Sequence, residues 1–430
     1  MNLTVIIIAF IAVILSVIWG TKFKTNVGVA ALVCAFLIGI FGLGMSPAAI
    51  YAFWPARTTV QLIIVTAFFG FAVESGTIDL IAKTVLYWVR GIPWMIPVVY
   101  LLLTFALSAI GVSPPAVNMF LFPIFMTLCY ATQTNELYLT VGANAGGMSG
   151  TLSPLGMVGI MVSGMISSSG MELDVQSTVV HIFLNATKVF FILYAIYYVV
   201  LQLYKIKLPP ELVQKPAAPT PQQKANLWII LVCVLLMVIP PICQAFLPNP
   251  VTAALSKLDI SLVYALGILA CTVFKIGNEK AVFKNSIPWS VIILLGGMTC
   301  LMGVMRQAGL ADLITHAVST GISPALIPVI IVFLSGFLSL FSDGTSVVMP
   351  LMVPIALTIS ATTGLSAPLL LSCVCVPAIG MGMSPFSTGG GVFLSFVRED
   401  RFQKMLLQSL IAVLCNLVLM CVMALVKIIN

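Results

Sequence analysis

Two stretches of the chain carry the same broken phrase within apolar surroundings. Gly147-Met148-Ser149-Gly150-Thr151-Leu152-Ser153-Pro154 is echoed by Gly382-Met383-Ser384-Pro385-Phe386-Ser387-Thr388, 235 residues further on. Glycine, proline and hydroxyl residues interrupt a helix where lipid offers its backbone no partner. Such a break persists only where it lines a cavity or binds something. Paired interruptions at matching positions of two halves are the sequence mark of a repeat-built secondary transporter. Composition excludes a soluble domain: charged residues are 7% and apolar residues 61% of the chain, where a soluble domain has about a quarter charged.

Ten apolar stretches are long enough to cross a bilayer: 2–20, 26–45, 59–76, 136–167, 178–204, 225–247, 259–277, 286–306, 368–397 and 405–429. The first lacks a basic start and reads as a retained helix, not a cleaved leader. Two more, 93–131 and 326–363, carry turn chemistry halfway, at Ser113-Pro114-Pro115 and Ser342-Asp343-Gly344-Thr345-Ser346. They read as re-entrant hairpins. The halves match elsewhere too. Ser75-Gly76-Thr77-Ile78-Asp79-Leu80-Ile81 lies on Ala308-Gly309-Leu310-Ala311-Asp312-Leu313-Ile314 at an offset of 233, and Phe122-Pro123-Ile124 on Val353-Pro354-Ile355 at 231.

The expected fold is therefore an all-α polytopic membrane protein of two inverted repeats, each with five transmembrane helices plus one re-entrant hairpin. The first repeat is 1–204 (hairpin 93–131, broken helix 136–167). The proline-rich segment 205–224 is a linker, and the second repeat is 225–430 (hairpin 326–363, broken helix 368–397). Placing both termini outside and the linker in the cytoplasm leaves only Arg57, Lys257, Arg306 and Lys427 on the outer side, as the positive-inside rule requires. The expected location is a bacterial inner membrane.

The formal net charge of +7 is scattered over short loops with no interleaved aromatics, which argues against a nucleic-acid partner. The ten cysteines lie in apolar stretches with only His181 and His316 for company, so no metal-ligand pattern and no cofactor are expected. Lys188, inside its helix, reads as a snorkelling side chain.

An anionic solute in the bilayer interior would be held here by partial charges, from helix N-termini at the chain breaks and from hydroxyls. The substrate-binding candidates are Ser113, Pro114, Pro115, Ser149, Thr151, Thr345, Ser346, Ser384, Pro385, Ser387 and Thr388. Carbonyls near Gly147 and Gly382, with Asn144, Thr345 and Asp343, would hold a coupling cation such as sodium. Asp343 is the only acid in either hairpin tip. It reads either as the coupling-ion or proton site or as the cap of the helix that follows. Gly147-Met148-Ser149-Gly150 also fits the Gly-x-Ser-Gly pattern of rhomboid intramembrane proteases. A single catalytic serine does not explain the twin at Gly382-Met383-Ser384, so no enzyme is expected.

The chain resembles the ion transporter superfamily, in particular the divalent-anion:sodium symporters and the malonate/dicarboxylate carriers. Ala143-Asn144-Ala145-Gly146-Gly147 followed by Thr151 and Ser153-Pro154 is similar to that family's broken fifth helix, and Pro123 and Pro354 stand as in its hairpins. At the family's two Ser-Asn-Thr signatures this sequence has Ser113-Pro114-Pro115 and Gly344-Thr345-Ser346. The resemblance implies a scaffold domain, a mobile transport domain, elevator-like alternating access and a homodimer. The expected function is secondary active transport of a small di- or tricarboxylate, of malonate or C4 type, coupled to sodium or protons. A cation/proton antiporter working through Asp343 is the alternative.

Overall fold

The computed structural model describes residues 25–207, 215–246, 250–255, 258–309, 323–341, 343–385 and 387–430, with isolated positions 8, 11, 12, 15, 16, 19, 23 and 213. Every described element is a helix. Most of the first expected crossing, and the stretch 310–322 carrying Asp312 and His316, lie outside the described residues. So do Ser342, Pro209 and Pro210, and the side chains of Ser346 and Thr388.

Four described helices are long and apolar enough to cross a bilayer alone: Ala56–Glu74, Val175–Val200, Trp289–Gln307 and Glu399–Leu425. Nineteen residues at 1.5 Å each span about 28 Å, close to the hydrocarbon thickness. Shorter apolar helices accompany them, and several present a lipid-type stripe. On Ile260–Val273, Leu262, Leu266, Leu269 and Val273 recur at helical spacing and are all exposed. An outward apolar stripe of this kind suits lipid, not water.

The chain forms two compact units. The middle unit comprises Val60–Met157 and Tyr194–Pro288; the terminal unit comprises Met1–Thr59, Val158–Leu193 and Trp289–Asn430. Each unit therefore draws on both halves of the sequence, and each holds one hairpin.

In the middle unit the hairpin has a leading arm, Ile96–Ala109, and a trailing arm, Pro114–Thr132. Gly111 turns between them at φ +115°, a conformation only glycine adopts without strain. The segment Leu137–Thr151 runs alongside the leading arm, with a π-helical stretch at Ala143–Met148. Gly142, Gly146 and Gly150 are spaced by four and form one face. A methyl group on any of them would meet Tyr100, Thr104 or the backbone at Phe105. Their small size lets two helix backbones pack directly.

The linker is shorter than expected. A helix begins at Pro221 and runs to Phe246. Gln223 N donates to Thr220 Oγ1 (3.2 Å), and Thr220 N donates to Gln223 Oε1 (3.1 Å). This reciprocal capping box, with proline at the first helical position, starts the helix inside the polar segment.

In the terminal unit the second hairpin has arms Ile327–Phe341 and Met349–Thr363, joined through a π-helical tip at Gly344–Val348. Helix Ala367–Gly380 lies against both arms. Gly344 packs on the Ala378 backbone so closely that no side chain fits. Helix Val175–Val200 holds the last residue of the chain. Asn185 Nδ2 donates to the Asn430 main-chain oxygen (2.5 Å) and to Ser372 Oγ (3.1 Å).

Candidate functional site

Both interruptions fall at a Ser-Pro pair. The first helical run ends at Thr151, and the next helix, Met157–Ser167, begins after a turn containing Ser153-Pro154. The second run ends with a 3-10 turn at Met381–Met383, and helix Thr388–Ser395 follows Ser384-Pro385.

One hydrogen bond recurs at the two breaks. Ser153 Oγ donates to the Ala109 carbonyl in the middle unit, and Ser384 Oγ donates to the Leu340 carbonyl (3.1 Å) in the terminal unit. Each bond ties a break to the end of its hairpin's leading arm, across a sequence separation of 44 residues. The hydroxyl thereby satisfies a C-terminal helix carbonyl that would otherwise lack a partner. These bonds pair Ser153-Pro154 with Ser384-Pro385 at an offset of 231, the offset of Pro123 and Pro354. The expected pairing of Ser149 with Ser384 is thus displaced by one helical turn. Ser149 is buried within its helix and donates to the Ala145 and Gly146 carbonyls. Ser153 was the better choice, and the Ser-Pro dipeptide common to both halves was the signal for it.

The two hairpin tips differ in what they offer. Ser113 precedes the trailing arm without capping it, and Pro114 and Pro115 have no N–H. Val117 N bonds the Ser113 carbonyl (3.1 Å), so the first turn presents only the Ala116 N–H. At the second tip the Asp343 carbonyl accepts from Val347 N (2.9 Å) and Val348 N (3.4 Å). The N–H groups of Gly344, Thr345 and Ser346 have no acceptor within that helix. Thr345 Oγ1 donates to Asp343 Oδ1 (2.7 Å), which holds the carboxylate at the start of the helix as a capping residue would be held.

Ser387 organises the second break. Its Oγ accepts from Gly390 N (3.2 Å), capping helix Thr388–Ser395. Its hydroxyl proton has the Gly382 carbonyl (2.6 Å) and the Ser384 carbonyl (2.8 Å) within reach. The Gly382 oxygen expected to coordinate a cation therefore already has a donor beside it. Thr151 and Asn144 are buried in the middle unit, and Pro385 is half-buried in the terminal unit.

Two residues missed at the sequence level stand out in the middle unit. Ser108 Oγ and Asn118 Oδ1 are buried without a hydrogen-bond partner. A methyl group on Gly147 would sit 3.6 Å from Ser108 Oγ and 3.7 Å from Pro114 Cβ. Asn118 lies four residues beyond Pro114 on the same helix, hence on the same face. Gly147 thus lies within van der Waals reach of the hairpin tip and of an orphaned oxygen. The signal was Asn118 itself, a lone amide in an apolar arm. No group of three or more His, Cys, Asp or Glu side chains could hold a metal ion among the described residues. Neutral oxygens of this kind suit an alkali cation better than a transition metal.

The polar side chains on helix Val175–Val200 are committed elsewhere. His181 Nε2 hydrogen-bonds the Asn430 main-chain oxygen, and Lys188 Nζ donates to Asn430 Oδ1 (2.9 Å).

Interrupted helices with inward hydroxyls, in a chain of apolar helices, define a polytopic integral membrane transporter. Residues 1–151 match the family model of the dicarboxylate carrier protein MatC N-terminus, and residues 250–430 match that of the citrate transporter. Both families are of transporters, not enzymes. Among solved structures the fold is similar to MtrF of Neisseria gonorrhoeae, described as illuminating a class of antimetabolite efflux pumps. The identity is 14%, the coverage 90% of this chain and 84% of that one, and the TM-score 0.62. No curated protein gives a significant match. Together these findings fit a permease of the ion transporter superfamily, and the two families support a carboxylate transporter.

Proposed function

We propose that the chain is a secondary active carrier for a small di- or tricarboxylate, coupled to sodium or protons. The observation that carries this reading is the Ser-Pro break bonded to a hairpin arm, present once in each unit. A break held open by its own serine keeps backbone N–H groups oriented toward a ligand without lipid-exposed penalties. In the terminal unit the hydrogen-bond donors to the carboxylate are the N–H groups at Gly344–Ser346 and at Thr388 and Gly389, with Ser384, Ser387 and Thr345 beside them. In the middle unit they are Ser113, Thr151 and Ala116 N–H.

The coupling cation belongs with Asn144, the Gly147 carbonyl, Ser108 and Asn118 in the middle unit, and with Asp343 and Thr345 in the terminal unit. Movement is an elevator-like slide within a homodimer seated in an inner membrane. Uptake of labelled malonate, succinate and citrate into proteoliposomes, with and without an inward sodium gradient and a pH step, tests the reading. Gradient-driven accumulation of one of them is expected. Failure to accumulate any organic anion under either gradient would reject it.

A further inference from the structure

The terminal unit contains a cavity of about 210 Å³. Its walls are the end of helix Met157–Ser167, the last turns of Trp289–Gln307 and the trailing arm Met349–Thr363. Arg306 is the only cation on its lining.

Arg306 is held in place. Its Nη2 donates to the Ser168 carbonyl (2.6 Å), just past the end of Met157–Ser167. That single bond fixes the guanidinium and uses one of its five N–H donors. No carboxylate among the described residues forms an ion pair with it. The hydroxyls nearby have already spent their protons: Thr299 on the Leu295 carbonyl (2.7 Å), Thr358 on Pro354 (2.9 Å), Ser169 on Ile166 (2.7 Å). Arg306 is therefore the one strong donor facing the space, and the remaining wall is largely apolar, with Met302 and Leu357 prominent.

One anchored guanidinium above an apolar bowl matches one charge on an apolar body. Guanidinium and carboxylate pair through two parallel hydrogen bonds, and pockets that bind small organic molecules combine such a polar anchor with apolar walls. A doubly charged head would leave its second charge uncompensated there.

We propose that this cavity is a binding site for a small organic monoanion, with its carboxylate on Arg306 and its body against Met302 and Leu357. The proposal does not depend on which solute the breaks carry. A phosphodiester headgroup of an anionic lipid presents the same singly charged oxyanion, so the test distinguishes the two sources.

The full chain in phosphatidylcholine nanodiscs is titrated with benzoate and with neutral benzamide by calorimetry. Saturable benzoate binding and no benzamide binding are expected. Arg306→Gln weakens benzoate binding about 10- to 100-fold, the worth of a charge-assisted hydrogen bond. Ala361→Phe, at an exposed lining position, narrows the space and also weakens binding. It keeps the test decisive if the Arg306 variant fails to fold. Loss of benzoate binding in phosphatidylglycerol nanodiscs, restored in phosphatidylcholine, identifies the lipid headgroup as a competing source of the same chemistry and supports the site. Absence of saturable binding by the wild type, or unchanged binding in both variants, overturns the proposal.

Discussion

Three neighbouring glycines separate what holds the fold from what serves the site. A Cβ on Gly146 would collide with Thr104 Oγ1 and the Leu101 carbonyl, and one on Gly150 would collide with the Phe105 carbonyl. Gly146→Ala must push the leading arm away. It also disturbs the Thr104 hydroxyl, which donates to Leu101 (2.8 Å) and lies 3.3 Å from the Gly142 carbonyl. Overpacking costs about 1–3 kcal/mol and a displaced hydrogen bond about 1 kcal/mol, offset by about 1 kcal/mol from alanine's helix preference, so a loss of about 1–3 kcal/mol is expected. Set against a typical total of about 5–15 kcal/mol, this lowers the unfolding temperature and the folded yield.

Gly147→Ala behaves differently. Its added methyl meets nothing nearer than 3.6 Å, which is ordinary contact, and alanine favours a helix by about 0.8–1 kcal/mol over glycine. The variant should unfold at or above the wild-type temperature. Yet the methyl fills the space beside Ser108 and Pro114, so uptake in proteoliposomes should fall about tenfold or more, the equivalent of 1.4 kcal/mol. Thermal unfolding in detergent, paired with initial uptake rates, reads both quantities on one preparation. Wild-type uptake and cation dependence in Gly147→Ala would show that this space carries neither solute nor ion. Wild-type stability in Gly146→Ala would refute the packing of the two helices.

Ser153→Ala and Ser384→Ala each leave a hairpin-arm carbonyl without its donor, and each should cost about 1–3 kcal/mol in thermal unfolding; a cost at one site alone would end the equivalence of the two breaks. Asn118→Ala should leave the unfolding temperature within a degree or two of wild type while raising the cation concentration for half-maximal uptake about tenfold, and an unchanged cation curve would remove Asn118 from the ion site. Asp343→Asn should alter the dependence of uptake on sodium or pH if the carboxylate carries charge during transport. Unaltered coupling would leave it the capping role that its bond from Thr345 describes.

Much of this was legible because breaks in lipid demand small or polar residues. The helical class, the two interruptions and the turn positions at Ser113 and Gly344 all followed from glycine, proline and hydroxyl placement. The register of the second break did not, because Gly-Met-Ser is a more conspicuous match than Ser-Pro, and only the bonds to Ala109 and Leu340 distinguish them. Gly147 looked like a means of freeing a carbonyl, whereas its neighbour Gly146 serves close packing on Thr104. Ser108, Asn118 and the Arg306 cavity escaped notice for another reason. Each depends on which neighbours fail to satisfy or cover a group, and apolar periodicity carries no record of that. The early helix start at Pro221 was readable from Thr220 and Gln223, but the surrounding prolines masked it.

The paired prolines at the first hairpin tip have a quieter consequence. A binding surface built from N–H groups suffers when vacant, since each idle donor is stranded in a dry interior. With Pro114 and Pro115 supplying none, this tip leaves only the Ala116 donor wanting a companion when nothing is bound. The second tip has three such N–H groups, with the Asp343 carboxylate held beside them by Thr345.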